Sequence, residues 1–341
     1  MKRREFISFL GGAVAWLLAV VPLTALSPPM AWSQSPDKPR RVGVLFSGIP
    51  SDPATIPVRQ ALVDGLRAHG WEEGRNVVLE VRYLGTDPDA GFSELAADLV
   101  ALNVSAILTA NMQALDAARR KTATIPIIMA GAGRAVELGF IVSLAQPGGN
   151  ITGLVNQIET VSAKNLELFK EIKPGIERVG IIYSPANVSS LAAMKEQQEE
   201  MAPRLGLVVL PIPVSKPADL DEAFATIVRE GVQALHVHPA PAIFPHRVKI
   251  AAFAIERRLP TNAGLNVMAR DGLLMSYGYD NRESWRRAAS YVDRIFKGAN
   301  PAETPVEQVN RFQFIINLKT ARAIGLDLPQ ALLARADEVI E

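Results

Sequence analysis

The chain has 341 residues, 48% of them hydrophobic and 21% charged, enough for one large core or two ordinary ones. A formal net charge of +1, with no basic run interleaved with aromatics beyond the N-terminus, gives no electrostatic case for nucleic acid. The absence of cysteine excludes disulfides, thiolate metal sites and cysteine nucleophiles together.

Lys2, Arg3 and Arg4 precede an apolar run with no charge until Asp37, the layout of an export signal over residues 1–33. Small residues at Ala31 and Ser33 place cleavage before Gln34 and the mature protein in the periplasm. "RREFI" follows a twin-arginine pattern, although Lys2 stands where that pattern has Ser or Thr. A retained anchor is the alternative, against which Gly11, Gly12 and Pro22 weigh. Nothing after Ser33 is long and apolar enough to span a bilayer.

From Val42 the chain alternates. Val42–Phe46 is a continuous apolar run of buried-strand length, and Val58–His69 has helical spacing and stops at Gly70. Asn76–Leu84, Ser105–Thr109 and Pro126–Met129 read as strands; Phe92–Leu102 and Met112–Thr122 read as helices. This alternation predicts a parallel sheet covered on both faces.

The series then repeats. Arg41–Ser47 ("RVGVLFS") returns position for position as Arg178–Ser184 ("RVGIIYS"). After that second strand come helices at Ser190–Leu205, Leu220–Glu230 and Val248–Arg258. Strands at Leu207–Val214, Ala234–Val237 and Pro260–Asn262 alternate with them. The repeated order predicts two doubly wound α/β lobes. The turn-rich "QPGGNITGL" (Gln146–Leu154), "GLLMSYGYD" (Gly272–Asp280) and "PVEQVNRFQFIINL" (Pro305–Leu318) are candidate crossings, two or three strands of a hinge. The expected lobes are residues 34–153 with about 279–305, and 154–278 with about 306–341. The helix of "ESWRRAASYVDR" buries Trp285 and Tyr291.

In open α/β sheets, ligands lie beyond the carboxyl ends of strands. That rule selects Ser47, Gly48, Asn111, Gly131–Gly133, Asn156, Tyr183, Ser184, Asn187, His238, Asn262 and Tyr277 as ligand-binding candidates. The small ones let a ligand approach backbone N–H groups, and the tyrosines can flank a ring. Turn formation alone also explains small polar residues at strand ends. No phosphate loop is present, "GAGRAV" has Val136 where a third glycine would stand, and no nucleophile elbow occurs. His236 and His238 form an H-x-H pair on one strand face but lack an evident third ligand, so no metal, cofactor or catalytic group is expected.

"RRVGVLFSG", "GWEEGRNVVLEVR", "AQPGGNITGL", "LLMSYGYD" and the closing "INLKTARAIGLDLPQALLARADEVIE" resemble uncharacterised ABC-transporter substrate-binding proteins. That family has the type I periplasmic-binding fold and is related to tryptophan- and tyrosine-binding transport components. The resemblance implies a monomeric receptor that closes its lobes on a small polar or aromatic solute and presents it to membrane permease subunits. Relatives often carry an acidic residue where this chain has His238, and Asp-Pro near Gly131–Gly133. An amino acid or a carboxylic acid are both candidate solutes. A ligand sensor for an envelope signalling protein, and an exported enzyme, are the alternative readings.

Overall fold

The structure, a computed structural model, describes residues 38–85, 91–109, 111–156 and 158–341. The expected export signal lies outside the described residues. The first series runs β1 (Arg40–Phe46), α1 (Thr55–Ala68), β2 (Val77–Tyr83), α2 (Phe92–Ala101), β3 (Ala106–Thr109), α3 (Met112–Lys121), β4 (Ile127–Gly133) and β5 (Ile151–Asn156). The second opens with α4 (Ile158–Ile172), β6 (Arg178–Tyr183) and α5 (Val188–Glu196), then a π-helical stretch over Gln197–Met201 and α6 (Ala202–Arg204). It continues through β7 (Val208–Pro213), α7 (Asp219–Arg229), β8 (Ala234–Val237), α8 (Arg247–Glu256), β9 (Thr261–Leu265), α9 (Asn266–Arg270) and β10 (Met275–Tyr279). The chain closes with α10 (Asn281–Phe296), β11 (Glu307–Val309), β12 (Phe312–Asn317), α11 (Leu318–Ile324), α12 (Gln330–Leu333) and β13 (Glu338–Ile340).

The strands form two sheets, ordered β2-β1-β3-β4-β5-β11 and β7-β6-β8-β9-β10-β12-β13. Their first five positions correspond one for one, so the repeat in the sequence is a repeat of topology. Every pairing is parallel except β10 with β12. That exception departs from the expected all-parallel second sheet. β12 reaches β10 directly from the other lobe, so no crossover helix is needed to reverse it.

Each sheet is buried on both faces, which is why the inner strands are continuous apolar runs. In the first lobe α1 and α10 cover one face, with Leu62, Leu66, Trp285 and Val292 in a shared core. α2 and α3 cover the other, through Leu99 and Leu115. Trp285 and Tyr291 are fully buried, as their helical spacing predicts. Gly65 lets α1 and α10 meet closely: a Cβ there would lie 2.5 Å from the Arg286 carbonyl oxygen. The second sheet has the same two-sided arrangement, around Phe169 and Ile181 on one face and Leu235 and Ile250 on the other.

The chain passes between the lobes from β5 to α4, at Asp280 between β10 and α10, and at residues 310–311 between β11 and β12. Residues 154–156 and 307–309 pair within the first sheet, whereas the sequence reading gave them to the second lobe. The switch follows the strand ends rather than the glycine-rich turn ahead of β5. Helix α4, for which the sequence reading named no element, packs against the second sheet; Leu166, Phe169 and Ile172 carry its buried stripe. Among the described residues no helix is long and apolar enough to cross a membrane.

Candidate ligand cleft

In both sheets the strand order reverses at the first strand, between β1 and β3 and between β6 and β8. Crevices at such switch points hold ligands because neighbouring connections leave on opposite faces. Here the two crevices face one another. Between them lies a cavity of about 140 Å³, in the size range that admits a benzene-sized molecule.

The first lobe contributes Ser47 and Gly48 after β1, Asn111 before α3, Gly131 at the end of β4 and Asn156 at the end of β5. Asn111 caps α3 by accepting from Ala114 N–H at 3.0 Å, and its amide donates to Ser47 Oγ at 2.7 Å. Gly131 has φ +115°, a conformation that side chains disfavour, and its carbonyl accepts from Asn156 Nδ2 at 2.8 Å. These bonds fix the amides before any ligand arrives.

The second lobe contributes Asn187, Ser189 and Ser190 from the start of α5, His236 from β8 and His238 just after it. Asn187 caps α5 by accepting from Ser190 N–H at 3.1 Å. Both histidines are buried, at 2% and 5% exposure, and their partners fix their tautomers. Gln197 uses its amide N–H on the Ser162 carbonyl, so its oxygen accepts from His238 Nε2–H at 2.8 Å. His238 Nδ1 then accepts from Ser190 Oγ at 3.0 Å. Gln197 opens the π-helical stretch, a local widening often met at functional sites. By the same reasoning Asn262 Nδ2 is spent on the Asn165 carbonyl, so His236 Nδ1–H donates to Asn262 Oδ1 at 2.6 Å.

Both imidazoles are therefore neutral. Burial lowers the His236 pKa to about 4; burial and then the neighbouring His236 push His238 well below the ordinary value. Tyr279 stands at the crossing from β10 to α10, packed against the cores of both lobes. Burial pushes its phenol pKa up, with the Asn156 amide opposing.

Among the described residues, two ion pairs join the lobes at the rim. Arg247 at the start of α8 grips both carboxylate oxygens of Asp52, in the loop before α1, and also bonds Asp271. Burial alone would lower the Arg247 pKa, but its bonds to Asp52 and Asp271 outweigh that and raise it. Arg134, just after β4, pairs with Glu196 of α5.

Nine of the sequence candidates line the cavity: Ser47, Gly48, Asn111, Gly131, Ala132, Gly133, Asn156, Asn187 and His238. Tyr183, Ser184, Asn262 and Tyr277 do not. Tyr183 points into the core beside Met194. Ser184 is buried, with its N–H on Ser190 Oγ. Asn262 lies inside β9, which runs on to Leu265, and acts one layer back through His236. Tyr277 lies one strand step before Tyr279 and packs on Phe312. Sequence reasoning chose Tyr277 over Tyr279 on the same strand, and missed Ser189 and Ser190 because the helix start was placed late. Among the described residues no cluster of His, Cys, Asp and Glu could hold a metal ion.

A family profile described as "ABC transporter substrate binding protein" matches residues 43–340. A tyrosine-binding protein of Clostridioides difficile is 23% identical over 290 residues, covering 85% of this chain and 83% of that protein. A conserved domain protein of Vibrio cholerae superposes with TM-score 0.80 at 26% identity, over 89% of this chain and all of the other. An ABC domain in complex with L-Trp, from Streptococcus pneumonia, superposes with TM-score 0.78 at 23% identity, over 88% and 100%. The shared fold is the two-lobed periplasmic-binding type.

Proposed function

The chain belongs to the ABC transporter substrate binding protein family, and from that premise we propose that it is an exported receptor for a small polar or aromatic solute. It captures the solute between its lobes, as a monomer, and delivers it to permease subunits in the membrane. The observation that carries this reading is the cavity itself: two equivalent switch points face each other across it, and ion pairs hold its rim closed. Closure excludes water, so a few hydrogen bonds orient the solute while apolar burial adds affinity. An aromatic solute fits the neighbouring tyrosine- and tryptophan-binding proteins and the rings of Phe46, Phe244 and Tyr279 at the cavity wall.

The test is to unfold the purified protein, identify the small molecules released by mass spectrometry, and return them to refolded protein. A released solute that raises the melting temperature supports the receptor reading, because only the folded state binds it. A released pool that shifts nothing, together with a silent metabolite screen, contradicts it. Solute-dependent stimulation of ATP hydrolysis by the reconstituted permease separates transport from sensing.

A further inference from the structure

We infer that the solute is an uncharged, ring-sized molecule that carries an N–H or O–H donor beside a hydrogen-bond acceptor; this rests on the receptor reading above. The first observation is the charge of the wall. None of the described residues lining the cavity is Asp, Glu, Lys or Arg, and its two histidines are held neutral by fixed tautomers. A buried ammonium would meet no carboxylate among them, and an ionised group buried without a counter-charge is costly.

An anion fares no better, although helix starts ordinarily favour one. The start of α3 is capped by Asn111 and that of α5 by Asn187. The start of α1 already has a carboxylate: Asp52 Oδ1 accepts from Ala54 N–H at 2.8 Å, and Arg247 neutralises it. At each of these helix starts a protein oxygen already holds one of the N–H groups that an anion would use.

What remains is a neutral hydrogen-bonding pattern. With His236 Nδ1 spent on Asn262, Nε2 is that ring's remaining acceptor, and it carries no bond among the described residues. Asn156 Oδ1 and Ser189 Oγ, on buried residues of the wall, also carry none. Asn187 caps with its oxygen, leaving its amide N–H₂ as a donor. An amide-like edge or a phenol matches such acceptors and donors without bringing charge. A free amino acid, a simple carboxylate and an amine do not.

The experiment is calorimetric titration of refolded, ligand-free protein with charge-matched sets: benzamide, benzoate and benzylamine; 4-methylphenol, 4-hydroxyphenylacetate, tyramine and L-tyrosine; uracil and orotate. In the sets that bind, the uncharged member should bind at least tenfold more tightly than its charged partners. His236→Phe, checked for native folding by circular dichroism, should lose at least tenfold for that member. Asn111→Asp keeps the helix cap but adds a carboxylate, and should shift preference toward benzylamine or tyramine by at least tenfold. A charged member binding as tightly as its neutral partner overturns the inference while leaving the receptor reading intact. An unmoved preference in Asn111→Asp also overturns it, as does silence across every set; the receptor reading is then judged by the released-solute test.

Discussion

Arg247 of the second lobe donates to the two carboxylate oxygens of Asp52 in the first, at 2.7 and 3.1 Å, with both side chains buried. The bond bridges the cleft mouth and therefore belongs to the closed arrangement of the lobes. Asp52→Asn keeps the shape, and Arg247 retains Asp271 as a counter-charge. Solute affinity should fall about tenfold, or about 1.4 kcal/mol, through a shifted lobe equilibrium. Titration calorimetry with unchanged affinity would show that the pair adds nothing to closure.

The buried histidines make stability depend on pH in a defined direction. An unfolded chain protonates them near 6.5, whereas the folded chain protonates His236 only near 4. Between those values the unfolded state binds more protons, so stability falls as pH falls. The slope is about 1.4 kcal/mol per pH unit for each such histidine. Melting temperature should be independent of these groups above pH 6.5 and decline below it. His236→Gln should lessen the decline, and an identical pH profile in that variant would sink the assignment.

Two tyrosines near the cleft should separate cleanly. Tyr183 is a core residue, so Tyr183→Ala should cost about 3–5 kcal/mol in denaturant unfolding and leave affinity unchanged in the fraction that folds. Tyr279 lines the cavity at the hinge crossing, so Tyr279→Ala should weaken binding at least tenfold. The reverse pattern would reassign both.

Gly65→Ala tests how the first lobe is assembled. The added methyl would press on the Arg286 carbonyl and on Ala289, at 2.5 and 2.8 Å. α1 and α10 must then separate, at a cost of about 1–3 kcal/mol by chemical denaturation. Binding per folded molecule should be unchanged, because neither contact reaches the cavity wall.

The lobed architecture was legible in the sequence because each lobe announces itself with the same strand, Arg41–Ser47 and Arg178–Ser184, and apolar runs of that length bury on both faces. The cleft was legible where strand ends coincide with small polar residues, as at Ser47, Asn111 and Asn187. It was not legible where a side chain's direction decides. Tyr183 and Tyr279 both end strands, yet one turns into a core and the other lines the cavity. Nor could spacing reveal that His236 reads Asn262 across a neighbouring strand, or that Gln197 in a π-helical stretch fixes His238. Those pairings depend on sheet register and on a backbone widening that leaves no composition signal.

The central claim is that a solute closes the two lobes on each other. The chain has no cysteine, so Ile56→Cys on α1 and Val248→Cys on α8, both exposed, offer selective spin-label sites on opposite lobes. Pulsed electron resonance on refolded protein should give a longer distance without solute and a single shorter one after the released small-molecule pool is restored. One distance, unmoved by that pool or by any titrated solute, would contradict the account.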